Sequence, residues 1–244
     1  MTAFLLIHGG NTTGRFWDKV LGHLPGPALA PDLPGRGLHP KPIAELSVAG
    51  GSSSVLEDVA AWDVDDDLIV VAHSSGGLFT PGVVDGLRDR VRAVVLNAAS
   101  VPMEGGGGIE CMKPRHREGL ELAMSIARDT GRPIDTGQRK MEPEEYRTTY
   151  GGRPLTDEEC DFVADPARSV PDSVDVYFQP VYWSLVDVPV TYLVNDHDRP
   201  IPAELQLEMA GRLPKPPAIH HLDSGHVPEV TMPDVIAEEI ASAG

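Results

Sequence analysis

The sequence predicts an α/β fold, a mostly parallel sheet flanked by helices, with a helical insertion set into it. Short β-branched runs alternate with stretches of helical period, and strands joined that way need crossovers, which make a parallel sheet. The run Asp67-Leu-Ile-Val-Val-Ala72 stops abruptly at His73-Ser74-Ser75-Gly76-Gly77, as a strand does when it turns sharply into a helix. From Val101 to Asp187 the alternation lapses and no buried strand is evident. At 244 residues the chain fits one domain with one sizeable core. The expected division is residues 1–100 and 188–244 as the α/β core and residues 101–187 as a helical cap.

In order, Phe4 to Ile7 is the first strand, and His8-Gly-Gly10 is the loop after it. A helical stretch follows, with Phe16, Trp17, Val20, Leu21 and Leu24 at roughly helical spacing. Ala28 to Leu33 reads as a second strand, stopped by Pro34-Gly-Arg-Gly37. Val55, Leu56, Val59 and Ala60 mark a helix over Ser52–Trp62. The strand before Ser74 and a helix after it come next, then a strand over Val91–Leu96. The insertion opens with Glu104-Gly-Gly-Gly-Gly108. No strand feeds these glycines and no Lys-Ser/Thr follows, so a hinge is expected rather than a phosphate site. Arg115–Thr130 reads as a helix with Leu120, Ala123, Met124 and Ala127 on one side and Gly131 as its stop. Thr156-Asp-Glu-Glu159 is a capping box opening another helix. Val188–Val194 and Ala218–Leu222 are the last strands, and Pro233–Ser242 is a closing helix with Val235, Ile236 and Ile240 inward.

Ser74 stands between small residues, Ala72 and Gly76, the pattern that lets a serine be lifted into the open at a tight strand-to-helix turn. Ser75 is the rival, but it would put bulky His73 at a cramped position. Asp198, in Asn195-Asp-His-Asp198-Arg-Pro, follows the next-to-last strand, and His226, in Asp223-Ser-Gly-His226, follows the last. Alone, each is ordinary: a serine after a strand or an Asp near Pro is usually a turn residue. Together, serine then acid then histidine, each just past a strand, is the order of a hydrolytic triad on an α/β sheet. Asp196 is the alternative acid, while His8 and His73 are expected to be packing residues.

The chemistry explains why these types belong together. A serine hydroxyl is a poor nucleophile at neutral pH and needs a base, which needs an orienting carboxylate. His226 would take the Ser74 proton and Asp198 would hold the imidazole. A tetrahedral oxyanion also needs fixed donors. The Ser75 N–H, at the start of the following helix, is one, and the Gly10 N–H in the first loop is the other. Substrate is expected between the carboxyl edge of the sheet and the cap, touching Gly9, Phe79, Tyr182, Trp183 and Val227.

Composition narrows the partners. The 20 basic and 37 acidic residues leave a net charge of −17, which argues against nucleic acid and anionic membranes. The acidic run Asp63-Val-Asp-Asp-Asp67 reads as a solubilising loop. Cys111 and Cys160 have no metal-ligand spacing, so no metal and no cofactor is expected. The first apolar run, Phe4-Leu-Leu-Ile7, is too short for a signal peptide, and the expected setting is cytoplasmic with free thiols. A homodimer is left open.

The chain resembles the small α/β-hydrolases that include plant methylesterases, hydroxynitrile lyases and bacterial EstC-like relatives. The residues that carry the resemblance are Leu5-Leu-Ile-His-Gly-Gly10 with Gly14 and Trp17, Ala72-His-Ser-Ser-Gly-Gly77, Asp198-Arg-Pro-Ile-Pro202 and Gly225-His226 with Pro233. It covers roughly residues 4–100 and 188–240 and touches the cap only loosely. The resemblance implies a six-stranded sheet beginning at the first loop's strand. Lyase members carry a polar Thr or Asn where this chain has Gly9, and one lyase type has Lys where it has Val227. Both departures favour an esterase. The resulting expectation is a serine hydrolase acting on a small-molecule carboxylic ester, lactone or thioester through an acyl-serine. The alternative is a lyase or other non-hydrolytic enzyme using the same triad, and a binding module with an idle triad is a third reading.

Overall fold

The computed structural model describes residues 2–136 and 141–243. Its centre is a six-stranded sheet in the order β2-β1-β3-β4-β5-β6. The strands are β1 (Thr2–Ile7), β2 (Ala28–Leu29), β3 (Asp67–His73), β4 (Val91–Asn97), β5 (Val190–Asn195) and β6 (Ala218–Leu222), and every pairing is parallel. Along β3 every residue from Leu68 to His73 is buried, so the run is apolar throughout instead of alternating, as expected of a strand covered on both faces. β6 is an edge strand and is mostly exposed.

Two apolar layers cover the sheet. One gathers Leu5, Val70, Val94, Tyr192 and Trp183 beneath α2 (Val48–Ala61) and α3 (Thr80–Gly86). On the opposite face Phe4, Leu6, Val71 and Leu193 meet Ile236 and Ile240. The short helix α1 is Asp18–Leu21; α4 is Pro114–Thr130, α5 Asp157–Ala164, α6 Ala203–Ala210, α7 Pro228–Thr231 and α8 Pro233–Ser242. The Ser47 side chain caps α2 by accepting from Gly50 N–H at 3.0 Å. α5 starts on the expected capping box, with Thr156 and Glu159 each bonded to the other's backbone. α4 stops at Gly131, whose φ of +65° is the left-handed cap.

Some elements differ from the sequence reading. β2 is only Ala28–Leu29, because the following Ala30-Pro-Asp-Leu-Pro34 runs off the sheet edge to reach the first loop, where Leu33 N–H donates to His8 Nε2. The stretch after the first loop is a short 3₁₀ turn, Gly14–Trp17, running into α1. Between β4 and β5 the described residues form helices, turns and isolated bridges, with no strand of the sheet. The Gly105–Gly108 run is not a free hinge, however. Gly105 N–H donates to Val181 O and Val181 N–H to Gly106 O, both at 2.9 Å. A Cβ on Gly107 would stand 2.6 Å from Tyr177 O, so the glycines serve close backbone packing.

Candidate active site

Ser74 is half-buried at the turn between β3 and the 3₁₀ segment Ser74–Leu78, with φ of +50°. That left-handed conformation costs a non-glycine residue about 1–3 kcal/mol and needs a surrounding that enforces it. The surroundings are visible. Ser100 N–H donates to Ser74 O at 2.8 Å. A Cβ on Gly76 would stand 2.8 Å from both Ile7 O and His8 O, so only glycine lets the turn sit against the end of β1.

The elements carrying Asp198 and His226 converge on this turn. His226 Nε2 lies 3.2 Å from Ser74 Oγ, and its Nδ1 lies 2.6 Å from Asp198 Oδ2. Asp198 Oδ1 accepts the Ile201 N–H at 2.7 Å, and Gln206 Nε2 donates to Oδ2 at 3.2 Å, so the carboxylate is held from its far side. Asp196 is elsewhere: it is exposed and bonded to His221 Nδ1 at 2.6 Å. The His226 backbone is fixed by N–H donation to Tyr150 O at 2.9 Å, and His73 Nε2 sits 2.9 Å from His226 O.

Burial by itself would lower the His226 pKa. The Asp198 charge and hydrogen bond, joined by the charge of Glu229, outweigh it and leave the imidazole raised above 6.5. The other two histidines go the opposite way. Burial, with the Arg36 charge, drops His8 to about 3, and burial beside His226 holds His73 well below its ordinary range. Both are neutral packing residues. His8 accepts from Leu33 N–H at 3.1 Å, and His73 stacks on Phe16 with ring centres 4.9 Å apart.

Above Ser74 opens a cavity of about 800 Å³, within the range of small-molecule sites. Gly10, Ser74, Ser75 and His226 are on its core side, and Leu120, Tyr150 and Phe162 are among its walls from the insertion. No acceptor among the described residues takes the Gly10 N–H. Cys111 also touches this cavity, but burial pushes its thiol up to about 12, which keeps it protonated and inert.

Five expected substrate contacts are placed differently. Trp183 is 1% exposed in the layer against the sheet, so its indole is core. Tyr182 beside it is 49% exposed and touches no part of the cavity wall. Val227 is buried with Phe16, Leu155 and Val230 behind the site. Gly9 and Phe79 line a separate small pocket of about 20 Å³ beside Ser75, large enough for a water. Helical period and aromatic content mark residues that are covered, and do not separate a wall from packed core. Phe16, Tyr146, Tyr150, Phe162 and Tyr177 are the aromatic walls instead.

One buried group had no sequence signal at all. Glu229, on α7, is 0% exposed, and Asn97 Nδ2 donates to its Oε1 at 2.5 Å. Burial, with help from the Asp198 charge, pushes this carboxyl up to about 7. In the unfolded chain it titrates near 4.5. Between those values the folded state holds more proton than the unfolded one, so stability falls as pH rises through that window. Glu229→Gln removes this penalty and keeps the oxygen that faces Asn97. Its gain in unfolding free energy over the wild type is expected to be larger at pH 8 than at pH 5, by roughly 2 kcal/mol. An equal gain at both pH values would show that Glu229 is ionised throughout.

A model of the alpha/beta hydrolase family matches residues 4–239. The chain belongs to that family. Within the hydrolase family, lipase LipV of Mycobacterium tuberculosis is 34% identical over 102 residues, which is 41% of this chain and 38% of LipV. That match spans well under half of the relative's length. A pyrethroid hydrolase of Sphingobium wenxiniae is 24% identical over 253 residues, covering 99% of this chain and 87% of that protein. An extracellular alpha/beta-hydrolase from a Paenibacillus species has a TM-score of 0.79 at 20% identity, covering 100% of this chain and 99% of that one. At that identity the likeness is one of fold. Among the described residues no group of His, Cys, Asp and Glu stands ready to hold a metal, and no helix is long and apolar enough to cross a membrane.

Proposed function

We propose that the protein hydrolyses a small-molecule carboxylic ester, lactone or thioester through an acyl-Ser74 intermediate. The observation that carries this reading is the hydrogen-bonded chain from Ser74 Oγ through His226 to Asp198 at the floor of the cavity. Ser74 Oγ attacks the carbonyl carbon as its proton passes to His226 Nε2. His226 then gives that proton to the departing alkoxide or thiolate, and water repeats the sequence to release the acid. Asp198 holds the imidazole and balances the imidazolium. The Gly10 and Ser75 N–H groups are assigned to the oxyanion. Relatives named lipase, esterase and pyrethroid hydrolase support the same class of substrate bond.

The test is labelling of Ser74 by a fluorophosphonate together with turnover of p-nitrophenyl acetate. Both are expected in the wild type, and neither in Ser74→Ala. Turnover that survives Ser74→Ala would refute the mechanism. Trapping an acyl group on Ser74 with true substrate separates hydrolysis from a lyase that uses the triad only to move protons. The base must be neutral to accept the serine proton, and the His226 pKa is raised. The acidic limb of kcat/KM is therefore expected above pH 6.5, with activity rising as pH rises. A limb below that value would show that burial outweighs the Asp198 charge at this imidazole.

A further inference from the structure

Asp172 comes from the insertion, yet its carboxylate is buried against the first loop of the core. Its Oδ2 accepts the Asn11 N–H at 2.8 Å and the Tyr177 hydroxyl at 3.3 Å. Its Oδ1 is ion-paired with Arg36, whose Nη1 also donates to Thr12 O at 2.6 Å. Arg36 is 5% exposed and Asp172 is 9% exposed, so neither charge is shared with solvent. The loop they hold is strained, for Asn11 has φ of +56°. Further bonds grip its side chain: Thr136 Oγ1 donates to Asn11 Oδ1 at 2.6 Å, and Asp172 N–H reaches the same oxygen at 3.3 Å.

Gly10 lies inside this cluster. A Cβ there would stand 2.6 Å from Tyr177 Oη, 2.8 Å from Ser75 Oγ and 2.9 Å from Asp172 Oδ2. The Asn11 N–H belongs to the peptide that begins at the Gly10 carbonyl. A glycine peptide has many conformations open to it, and the one outside force on this N–H is the Asp172 carboxylate. The preceding peptide, which carries the free Gly10 N–H, is tied at its carbonyl, where Gly9 O accepts from Thr12 Oγ1 at 2.8 Å; fixing the following peptide sets ψ of Gly10 and so pins the glycine from its other side.

We propose that Asp172 is a positioning residue: held by Arg36, it locks the Gly10–Asn11 peptide so that the Gly10 N–H is aimed at the oxyanion. The inference rests on the reading of Ser74 as an acyl-transfer nucleophile. It makes the insertion part of the oxyanion site as well as a wall of the cavity. Seating of the segment around Asp172 and competence of the donor become one event, because the same carboxylate does both.

Removing one charge alone would leave the other buried and unpaired, which is destabilising for reasons unrelated to catalysis. The decisive comparison is therefore between two charge-free pairs. R36M/D172N keeps an amide oxygen free to turn to the Asn11 N–H, whereas R36M/D172L keeps none. With p-nitrophenyl acetate, the first is expected to retain kcat within about threefold. The second is expected to lose roughly 10- to 100-fold in kcat, with KM changed less than about twofold, as for a misaimed oxyanion donor. Binding of a trifluoromethyl ketone, which forms an oxyanion adduct on serine, should weaken in step with kcat.

The single variant D172N gives an independent reading should the leucine pair fail to fold. With Arg36 present, the amide oxygen faces the guanidinium and the NH₂ group faces the Asn11 N–H. Its kcat is expected to fall as in the leucine pair and to recover when Arg36→Met is added, the reverse of what a merely structural ion pair would give. Equal kcat in R36M/D172N and R36M/D172L, or no recovery from D172N, overturns the proposal while Ser74 still labels. A wild type that never labels at Ser74 overturns the hydrolase reading and this proposal with it.

Discussion

Ser74→Ala and His226→Ala are each expected to lower kcat by roughly 10⁴- to 10⁶-fold without unfolding the chain. Both side chains end in the cavity, and the His226 ring, although packed between His73 and Tyr150, is outside the apolar layers of the core. Alanine at 74 would even keep the strained turn, since the Ser100 bond and the Gly76 approach that enforce it involve backbone atoms alone. The two groups act as one unit across 3.2 Å, so the double variant should be about as slow as either single one. Single-turnover kinetics on the three variants would check this. A double variant slower by the product of the two losses would mean that serine and histidine serve separate steps.

Asp198→Asn is expected to cost roughly 10³- to 10⁴-fold in kcat, and Asp196→Asn almost nothing. Asp198 accepts from Ile201 N–H and Gln206 Nε2, so an asparagine there must turn its NH₂ toward one of these donors or toward His226. Facing His226 Nδ1, it would favour the wrong tautomer, with the proton on the nitrogen that should accept from Ser74. The Asp196 carboxylate, among the described residues, bonds to the exposed ring of His221. The measurement is kcat against pH for both variants. An Asp196→Asn loss exceeding that of Asp198→Asn would assign the acid role to the other carboxylate.

The contrast between these groups and the cavity walls shows what a sequence carries. Ser74 is legible because a sharp turn demands small neighbours at fixed positions, and Gly76 meets that demand against Ile7 O and His8 O. Asp198 and His226 are legible because each follows a short strand-like run, Val190–Asn195 or Ala218–Leu222, that becomes β5 or β6 in one parallel sheet. Strand order then brings the ends together with no further information. Trp183, Tyr182 and Val227 were misplaced because whether an apolar residue meets a cavity or a neighbour depends on how the insertion drapes, which is a long-range matter. α4 makes the same point. Its apolar residues fall on one side as read from the sequence, but only Met124 of that helix is buried, because the helix borders the cavity. Glu229 and Asp172 were invisible for a different reason. Each is an acid in a stretch of ordinary polarity, and only the tertiary structure sets Asn97 beside one and Arg36 beside the other.

That loose seating of α4 has a consequence for how the protein changes over time. In most enzymes the residues that shape a pocket also hold the fold, so each experiment in specificity risks the whole molecule. Here Leu120 and Ala123 border the cavity from a helix that contributes a single buried side chain to the interior. Leu120 still leans on the core layer, but exchanging Ala123 adds bulk next to the void without disturbing close-packed surroundings, the usual origin of large destabilisation. Ser74 meanwhile stands at the end of β3, which is buried from Leu68 to His73. Mutation can therefore explore α4 freely while the catalytic frame stays fixed, an arrangement that favours rapid divergence of substrate preference among close descendants of this chain.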